Sequence, residues 1–246
     1  MGYHESLTEG RNAVLEAFRS GKTVDRLFVL DGCQDGPVKT ILREAKKQDT
    51  MVQYVKKERL DQLSETKNHQ GVIAYCAACE YAEVSDILEN AKKKGEAPFI
   101  VLLDGIEDPH NLGAIIRTAN QAGAHGVIIP KRRAVGLTAT VARTSAGAVN
   151  YTPVAKVTNL VTVMEDLKKE GMWFVFADMD GEEMYSLNLK GPIGLVIGNE
   201  GEGVSRLVKE HCDMVASIPM KGDIDSLNAS VAMGVLAYEI VRQRRF

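Results

Sequence analysis

The sequence predicts an α/β protein of two units, a small amino-terminal one and a larger one built on a parallel sheet. Short apolar runs alternate with amphipathic segments along the chain, which is the pattern of alternating strands and helices. Runs such as 100–103 and 193–197 are nearly continuously apolar, as in parallel strands covered on both faces. Polar segments follow the later runs, where α/β sheets place their binding loops.

The composition is that of a globular protein able to bury a core. The 246 residues are 45% hydrophobic and 26% charged. No apolar run approaches the roughly 18 residues of a membrane span, and the first residues lack the apolar stretch of a secretion signal. We therefore expect a cytoplasmic protein without membrane contacts and with reduced cysteines. The net charge of −3 requires any bound polyanion to meet a local basic patch.

The amino-terminal unit is predicted over residues 1–80. Ser6 and Glu9 have the spacing of a capping box, which predicts a helix that begins there and ends near Gly21. Pro37 suits the first turn of a second helix, where its missing N–H is no loss. The other runs predict strands at 26–30, 51–55 and 71–78 and helices at 37–48 and 58–65.

A predicted linker, residues 81–98, contains a helix at 83–95. Its three closing lysines and Gly95 suit a helix carboxyl terminus. The second unit, residues 99–246, alternates again. Its predicted strands lie at 99–103, 126–129, 173–177, 194–198 and 215–218, and its predicted helices at 111–122, 138–147, 160–170, 204–210 and 226–242.

Three polar segments follow strands of the second unit, at 108–119, 197–203 and 218–234. The third places Ser226 and Asn228 in the first turn of an otherwise apolar helix, opened by Asp225 or Ser226. The unpaired N–H groups of such a turn make a polar pocket floor. Because parallel strands end at one edge of a sheet, the three segments predict a single binding site.

Two other kinds of site do not fit the spacing. The glycines of 198–203 have the order G-x-x-G-x-G, the reverse of the dinucleotide-binding fingerprint. Glu200 and Glu202 would also face a pyrophosphate, so we expect no nicotinamide or flavin cofactor. Cys76 and Cys79 lack a second C-x-x-C pair, so we interpret them as structural and expect no metal.

The three segments resemble the motifs of the SpoU (TrmH-type) branch of the SPOUT RNA methyltransferases. The matching residues are 111–119, 197–203, and 218–220 with 226–230, in the order that the family has. Residues 10–14 and 69–73 resemble the ribosomal-protein-like RNA-binding domain of the RlmB subgroup. The resemblance covers nearly the whole chain.

The resemblance implies a fold, a reaction and partners. The second unit would be a SPOUT domain whose carboxyl-terminal segment passes through a loop to form a deep trefoil knot, a rare exception to unknotted topology. S-adenosylmethionine would donate a methyl group to a ribose 2′-hydroxyl, and the second unit would form a homodimer. The subgroup implies a guanosine in 23S ribosomal RNA. The alternatives are a transfer-RNA ribose methyltransferase of the same family and a non-catalytic ribosome-assembly protein that binds RNA.

The resemblance also implies site residues. The catalytic set is Asn111, Arg117, Glu200, Ser226 and Asn228, and the cofactor-binding set is Gly198, Ile218, Met220 and Leu227. The family mechanism makes the arginine a general base. Because a guanidinium is hardly ever deprotonated in proteins, we expect it to clamp a phosphate bidentately instead.

Other roles follow from the positions of these residues. We expect Glu200 to position the nucleotide or receive the hydroxyl proton, and Asn111 to cap its helix. RNA contacts are expected from basic residues at 131–133, 143, 46–47 and 56–59.

Overall fold

The structure, a computed structural model, describes residues 6–223 and 226–246. The chain folds into two compact units. The first contains residues up to Glu80 together with Gly136–Ala139, and the second contains Tyr81–Val135 and Thr140–Phe246. None of the described helices is both long and apolar enough to cross a bilayer.

The first unit, over its described residues, is a mixed four-stranded sheet with helices. The sheet has the order β1-β4-β2-β3, in which β2 and β3 are parallel and the other pairs antiparallel. Its main core holds apolar side chains of α1, α2, β2 and β4, including Val14, Leu27 and Ile41. The elements are β1 (Ser6–Glu9), α1 (Arg11–Arg19), β2 (Val24–Leu30), α2 (Gly36–Lys47), β3 (Met51–Val55), α3 (Lys57–Leu63) and β4 (Val72–Cys76).

The predicted capping box at Ser6 and Glu9 is wrong, because these residues form strand β1. The strand pairs antiparallel with β4, with Leu7 opposite Tyr75. Leu7 also packs against a small cluster around Phe28 and Ile73, so the strand gains apolar burial that a helix cap would not provide. Helix α1 begins only at Arg11, after Gly10 has turned the backbone at φ 87°.

The side chain of Glu9 caps a distant turn instead of its own helix. It accepts hydrogen bonds from the Ser64 hydroxyl, the Glu65 N–H at 2.7 Å, and the Thr66 N–H and hydroxyl at 3.2 and 2.9 Å. Burial opposes ionisation, but these bonds outweigh it and hold the pKa of the Glu9 carboxyl below its ordinary value. Glu9 therefore joins β1 to the residues that follow α3.

The second unit is built on a sheet whose described strand pairs are all parallel, as predicted. The order is β10-β8-β9-β5-β6-β7. The elements are α4 (Val84–Lys94), β5 (Phe99–Asp104), α5 (Pro109–Gln121), β6 (Gly126–Pro130), α6 (Ala139–Thr144), β7 (Val154–Val157), α7 (Leu160–Lys169), β8 (Trp173–Glu183), β9 (Ile193–Gly198), α8 (Arg206–Glu210), β10 (Met214–Ser217) and α9 (Ala229–Arg245).

Two strands differ from the prediction. The sequence pattern missed β7, because this strand is only four residues long and Lys156 interrupts its apolar run. Strand β8 continues to Glu183 instead of ending near 177, since it pairs with β10 through an irregular register between Val215 and Ala216. The predicted left-handed cap at Gly95 is confirmed, with φ 66°.

The strand order places a crevice between β5 and β9. After β5 the chain moves to β6 on one side of the sheet, whereas after β9 it moves to β10 on the other side. In open α/β sheets, ligands bind outside the carboxyl ends of strands at such a switch point. The topology therefore indicates a site at the loops that leave β5 and β9.

We predict that Glu9→Gln lowers the free energy of unfolding of the first unit by about 1–3 kcal/mol at pH 7, because the turn at 64–66 loses charge-assisted hydrogen bonds. A lowered folded-state pKa stabilises the fold above the unfolded-state pKa, and this contribution disappears as the pH falls through the folded-state value. The variant should therefore lose less stability than wild type on acidification. Urea denaturation at pH 7 and pH 4 measures both effects, with exposed Glu16→Gln as the control. If Glu9→Gln and Glu16→Gln lowered the free energy of unfolding equally at pH 7, the role assigned to Glu9 would be wrong.

Candidate active site

Three polar side chains from three different loops meet at the carboxyl edge of the second sheet. Asn111 of α5 donates from Nδ2 to Glu200 Oε1 at 3.0 Å. Asn228, which precedes α9, donates from Nδ2 to Asn111 Oδ1 at 3.0 Å and also to Glu200 Oε1. The fold thus joins one residue from each of the three sequence segments in a closed hydrogen-bonded cluster, which we call the amide–carboxylate cluster.

Asn111 is held in place by the start of α5. The helix begins at Pro109 after Asp108, whose carboxylate accepts the His110 N–H at 3.0 Å. The cap is therefore Asp108, and the predicted cap at Asn111 is wrong. Because proline already occupies the first turn, Asn111 lies inside the helix, where it is only 8% exposed and free to point into the cluster.

Close packing fixes α5 against its neighbours. A Cβ at Gly113 would lie 1.8 Å from Thr144 Oγ1, so only glycine allows α6 to come this near. On another face of α5, a Cβ at Gly234 of α9 would lie 3.4 Å from Thr118 Cγ2. The helices that carry Asn111 and follow Asn228 therefore touch directly.

Glu200 lies in a tight turn that closes on itself after β9. The N–H of Asn199 donates to the Gly203 carbonyl at 3.1 Å, and the reverse bond is 2.9 Å. The Asn199 side chain accepts the Gly201 N–H at 2.8 Å and donates to the Gly105 carbonyl at 2.9 Å. These bonds tie the turn to the loop after β5, on the side where Asn111 lies.

The turn needs glycine at position 198. A Cβ there would lie 2.1 Å from the carbonyl carbon of Gly203 and 2.2 Å from the nitrogen of Val204. Since these are backbone atoms, they cannot move aside as a flexible side chain can. Nearby, Asp104 at the end of β5 accepts the Ser205 N–H at 2.8 Å, which fixes the chain where it leaves the turn.

Asn228 is the residue that caps α9. Its Oδ1 accepts the N–H groups of Ser230 at 2.9 Å and Val231 at 3.4 Å, and the Ser230 hydroxyl at 2.5 Å. Helix α9 begins at Ala229, so the predicted start at Ser226 is wrong, and the predicted cap at Asp225 lies outside the described residues. The amide oxygen satisfies the donors of the first turn, which leaves Nδ2 for Glu200 and Asn111.

The cluster leaves one acceptor open. Oε1 of Glu200 receives two amide N–H groups, whereas Oε2 has no donor among the residues that the structure describes. An ionised carboxylate accepts several hydrogen bonds, so Oε2 can receive one from a bound hydroxyl or base. The exposed side chain of Glu200 therefore presents, from within the turn at 198–203, an oxygen acceptor whose partner oxygen is held by two amide groups.

The other predicted catalytic residues lie apart from the cluster's hydrogen bonds. Arg117 is exposed, and its guanidinium has no hydrogen bond or ion pair with residues 6–223 or 226–246. Ser226 is exposed and precedes the cap of α9. Sequence reasoning did not select Ser230, although a hydroxyl two positions after a capping asparagine was a usable signal.

The residues predicted to hold a cofactor follow the ends of β9 and β10. Gly198 ends β9, Ile218 directly follows β10, Met220 is 40% exposed, and Leu227 is half-buried. An adenosine-containing molecule needs backbone amide groups and apolar walls, and these strand ends and loop residues supply both kinds of group. Within the described part of the chain, His, Cys, Asp and Glu form no group of three or more that could hold a metal ion.

Comparison with protein families matches both units. The model of the SpoU rRNA methylase family matches residues 98–238. A second model, described as RNA 2′-O ribose methyltransferase substrate binding, matches residues 7–82. Together the two models span nearly the whole chain and include the three segments of the site.

Individual relatives agree with these matches. YacO of Bacillus subtilis, named as a TrmH family tRNA/rRNA methyltransferase, is 49% identical over 96% of this chain and 94% of its own. A relative of the same family name from Staphylococcus saprophyticus is 45% identical over 98% and 97%. The crystal structure of the SpoU methyltransferase AviRb from Streptomyces viridochromogenes, in complex with AdoMet, is 27% identical with a TM-score of 0.62, covering 98% of this chain and 91% of that one.

We predict that Gly198→Ala displaces the turn at 199–203 and lowers the free energy of unfolding by about 1–3 kcal/mol, the usual cost of overpacking. Thermal denaturation and a crystal structure of the variant test this. The matched control is Gly201→Ala in the same turn, where a Cβ would meet only Asn199 Oδ1 at 3.5 Å and should be tolerated. Similar melting temperatures for the two variants would disprove the close approach.

Proposed function

The chain belongs to the SpoU family of RNA methyltransferases, and from this membership we propose that it methylates the 2′-hydroxyl of a guanosine ribose in 23S ribosomal RNA. The methyl donor of the family is S-adenosylmethionine. The observation that most supports ribose as the acceptor is the open Oε2 of Glu200, a fixed acceptor for a hydroxyl group. Its turn is contiguous with Gly198, one of the residues that we propose to hold the donor.

In the proposed reaction the residues of the chain orient the acceptor and handle its proton. A ribose hydroxyl is a weak nucleophile, and orientation alone can contribute ~7–11 kcal/mol. Glu200 Oε2 would accept the hydroxyl hydrogen bond and help the proton leave as the oxygen–carbon bond forms. Arg117, exposed and unpaired among the described residues, would clamp a phosphate beside the ribose. Gly198, Ile218, Met220 and Leu227 would hold the donor, whose methyl group is bonded to a sulfonium sulfur. As the oxygen–carbon bond forms, the sulfur–carbon bond would break and leave a neutral thioether.

The RNA would approach from the β6 side of the sheet. Arg132 and Arg133 follow β6 and are exposed, and Arg143 is exposed on α6. On the other side of the switch point, the exposed charged residues at the end of β8 and in the turn after β9 are acidic, at positions 180, 182, 183, 200 and 202. Phosphates are attracted to the first group and repelled by the second, so this division gives the RNA a direction despite the negative net charge.

A transfer-RNA substrate is the second candidate, since the names of the curated relatives include both RNA classes. One observation favours ribosomal RNA. The crystal structure of the A. aeolicus TrmH/SpoU tRNA modifying enzyme covers 65% of this chain, whereas that of an AdoMet-bound rRNA methyltransferase from Sinorhizobium meliloti covers 96%. A non-catalytic ribosome-assembly protein is the third candidate, which the complete amide–carboxylate cluster disfavours.

The proposal includes the architecture implied by the family. We propose a trefoil knot in the second unit and a homodimer formed through that unit. We also propose a cytoplasmic location, where ribosomal RNA is assembled into ribosomal subunits. Val231 and Tyr238 of α9 support the dimer, because they lie two turns apart on one helix face and are 50% and 51% exposed. Apolar side chains in such a row are typical of a face that another subunit covers.

Mapping 2′-O-methyl groups in ribosomal and transfer RNA, from cells with and without the protein, tests the substrate. We expect a single methylated guanosine of 23S RNA to disappear and to return when the gene is restored. Loss of a transfer-RNA methyl group instead would establish the second candidate. If every methyl group persists and purified protein binds no S-adenosylmethionine in calorimetry, the chain is not an active methyltransferase.

We predict that Arg117→Lys lowers kcat at least roughly tenfold, because an ammonium group cannot make the two parallel hydrogen bonds of a guanidinium to a phosphate. Single-turnover transfer of labelled methyl groups to RNA measures this. Arg206→Lys is the control, since Arg206 is exposed and, among the described residues, pairs only with Glu210 in its own helix. A kcat of Arg117→Lys close to that of wild type would exclude the bidentate clamp.

A further inference from the structure

The amide of Asn228 is fixed by more donors than a helix cap requires. Its Oδ1 accepts two backbone N–H groups and the Ser230 hydroxyl, the last at 2.5 Å. We propose that Ser230 is a positioning residue for methyl transfer, whose hydroxyl locks the Asn228 amide so that Nδ2 faces Glu200. This inference rests on the proposed function of the site.

A second asparagine cap in the same unit shows what capping alone needs. Asn159 caps α7, and its Oδ1 accepts the N–H groups of Val161 at 2.9 Å and Thr162 at 3.4 Å. The two backbone bonds at Asn228 have the same lengths, 2.9 and 3.4 Å. The position that corresponds to Ser230 is Val161, which has no hydroxyl. Helix capping therefore does not explain the serine.

The Ser230 hydroxyl acts through a chain of hydrogen bonds in which each amide donates to the next residue, ending at Glu200. Backbone N–H groups can only donate, so they identify the Asn228 atom that they meet as oxygen. Nδ2 of Asn228 then donates to Asn111 Oδ1, and Nδ2 of Asn111 donates to Glu200 Oε1. The Ser230 hydroxyl adds a third donor at the start of this chain.

The Ser230 hydroxyl thereby affects the orientation of the Glu200 carboxylate. With Asn228 locked, Oε1 of Glu200 is held by two amide groups, and Oε2 keeps one direction toward the acceptor hydroxyl. Without the Ser230 hydroxyl, Asn228 still caps α9 but loses one of the three donors that hold its Oδ1, so its amide samples a wider range of orientations. Glu200 then loses part of its orientation, and a poorly oriented acceptor slows transfer more than it weakens binding.

The test compares Ser230→Ala and Ser230→Thr with a matched control, Ser85→Ala. Ser85 lies two residues after the Glu83 cap of α4, is exposed, and has no hydrogen bond from its hydroxyl to the described residues. We expect Ser230→Ala to lower kcat roughly three- to tenfold with an unchanged KM for RNA and donor. Ser230→Thr should restore turnover because it keeps the hydroxyl, and Ser85→Ala should match wild type.

Two further measurements separate positioning from stability. In an Asn228→Ala background, Ser230→Ala should have no additional effect on kcat, because the group that it orients is gone. Crystal structures of wild type and Ser230→Ala should show the Asn228 amide turned away from Glu200 in the variant. If Ser230→Ala still lowered kcat in the Asn228→Ala background, the proposal would be overturned. It would also be overturned if the lower kcat were fully explained by a lower melting temperature of the variant.

The outcomes keep the two hypotheses apart. If wild-type protein methylates ribose but Ser230→Ala equals Ser85→Ala, only the positioning role fails. If wild-type protein transfers no methyl group to RNA, the proposed function fails. In that case the crystal structures still decide whether Ser230 orients Asn228, and an unmoved amide excludes it.

Discussion

The site depends on one amide group that serves a helix and a carboxylate together. The first turn of α9 needs an acceptor for its free N–H groups, and the oxygen of Asn228 provides it. An amide that accepts on one side must donate on the other, so the demand of the helix points the nitrogen at Glu200 and Asn111. The first turn of α9, through its backbone N–H groups and the Ser230 hydroxyl, thereby orients a side chain that we place in catalysis.

This arrangement requires the sheet to bring three loops to one edge. The switch point between β5 and β9 opens the crevice, and the loop after β10 reaches it from the far side of β8. Two glycines permit the necessary approaches, Gly113 between α5 and α6 and Gly198 inside the turn that carries Glu200. In this chain, close packing therefore leaves the loops that carry the amide–carboxylate cluster little freedom, although they are not part of the sheet.

The sequence predicted most elements, because their periodicity reflects burial. The parallel strands of the second unit are continuously apolar, and the helices have capping or breaking residues at their ends. The errors lie where a local pattern competes with a distant partner. Ser6–Glu9 has the spacing of a helix cap, but pairing with β4 and the turn after α3 satisfy it as a strand.

By itself the sequence determined the fold class, the family and the three segments of the site, since these rest on residue type and order along the chain. Only the tertiary structure decided which side chains meet. Asn111 and Asn228 are 117 residues apart, and nothing in their local sequence shows that their amides touch. Likewise, the cap of α5 moved to Asp108 and that of α9 to Asn228. Hydrogen-bond partners across loops depend on how helices and strands pack, and that packing is a property of the whole fold.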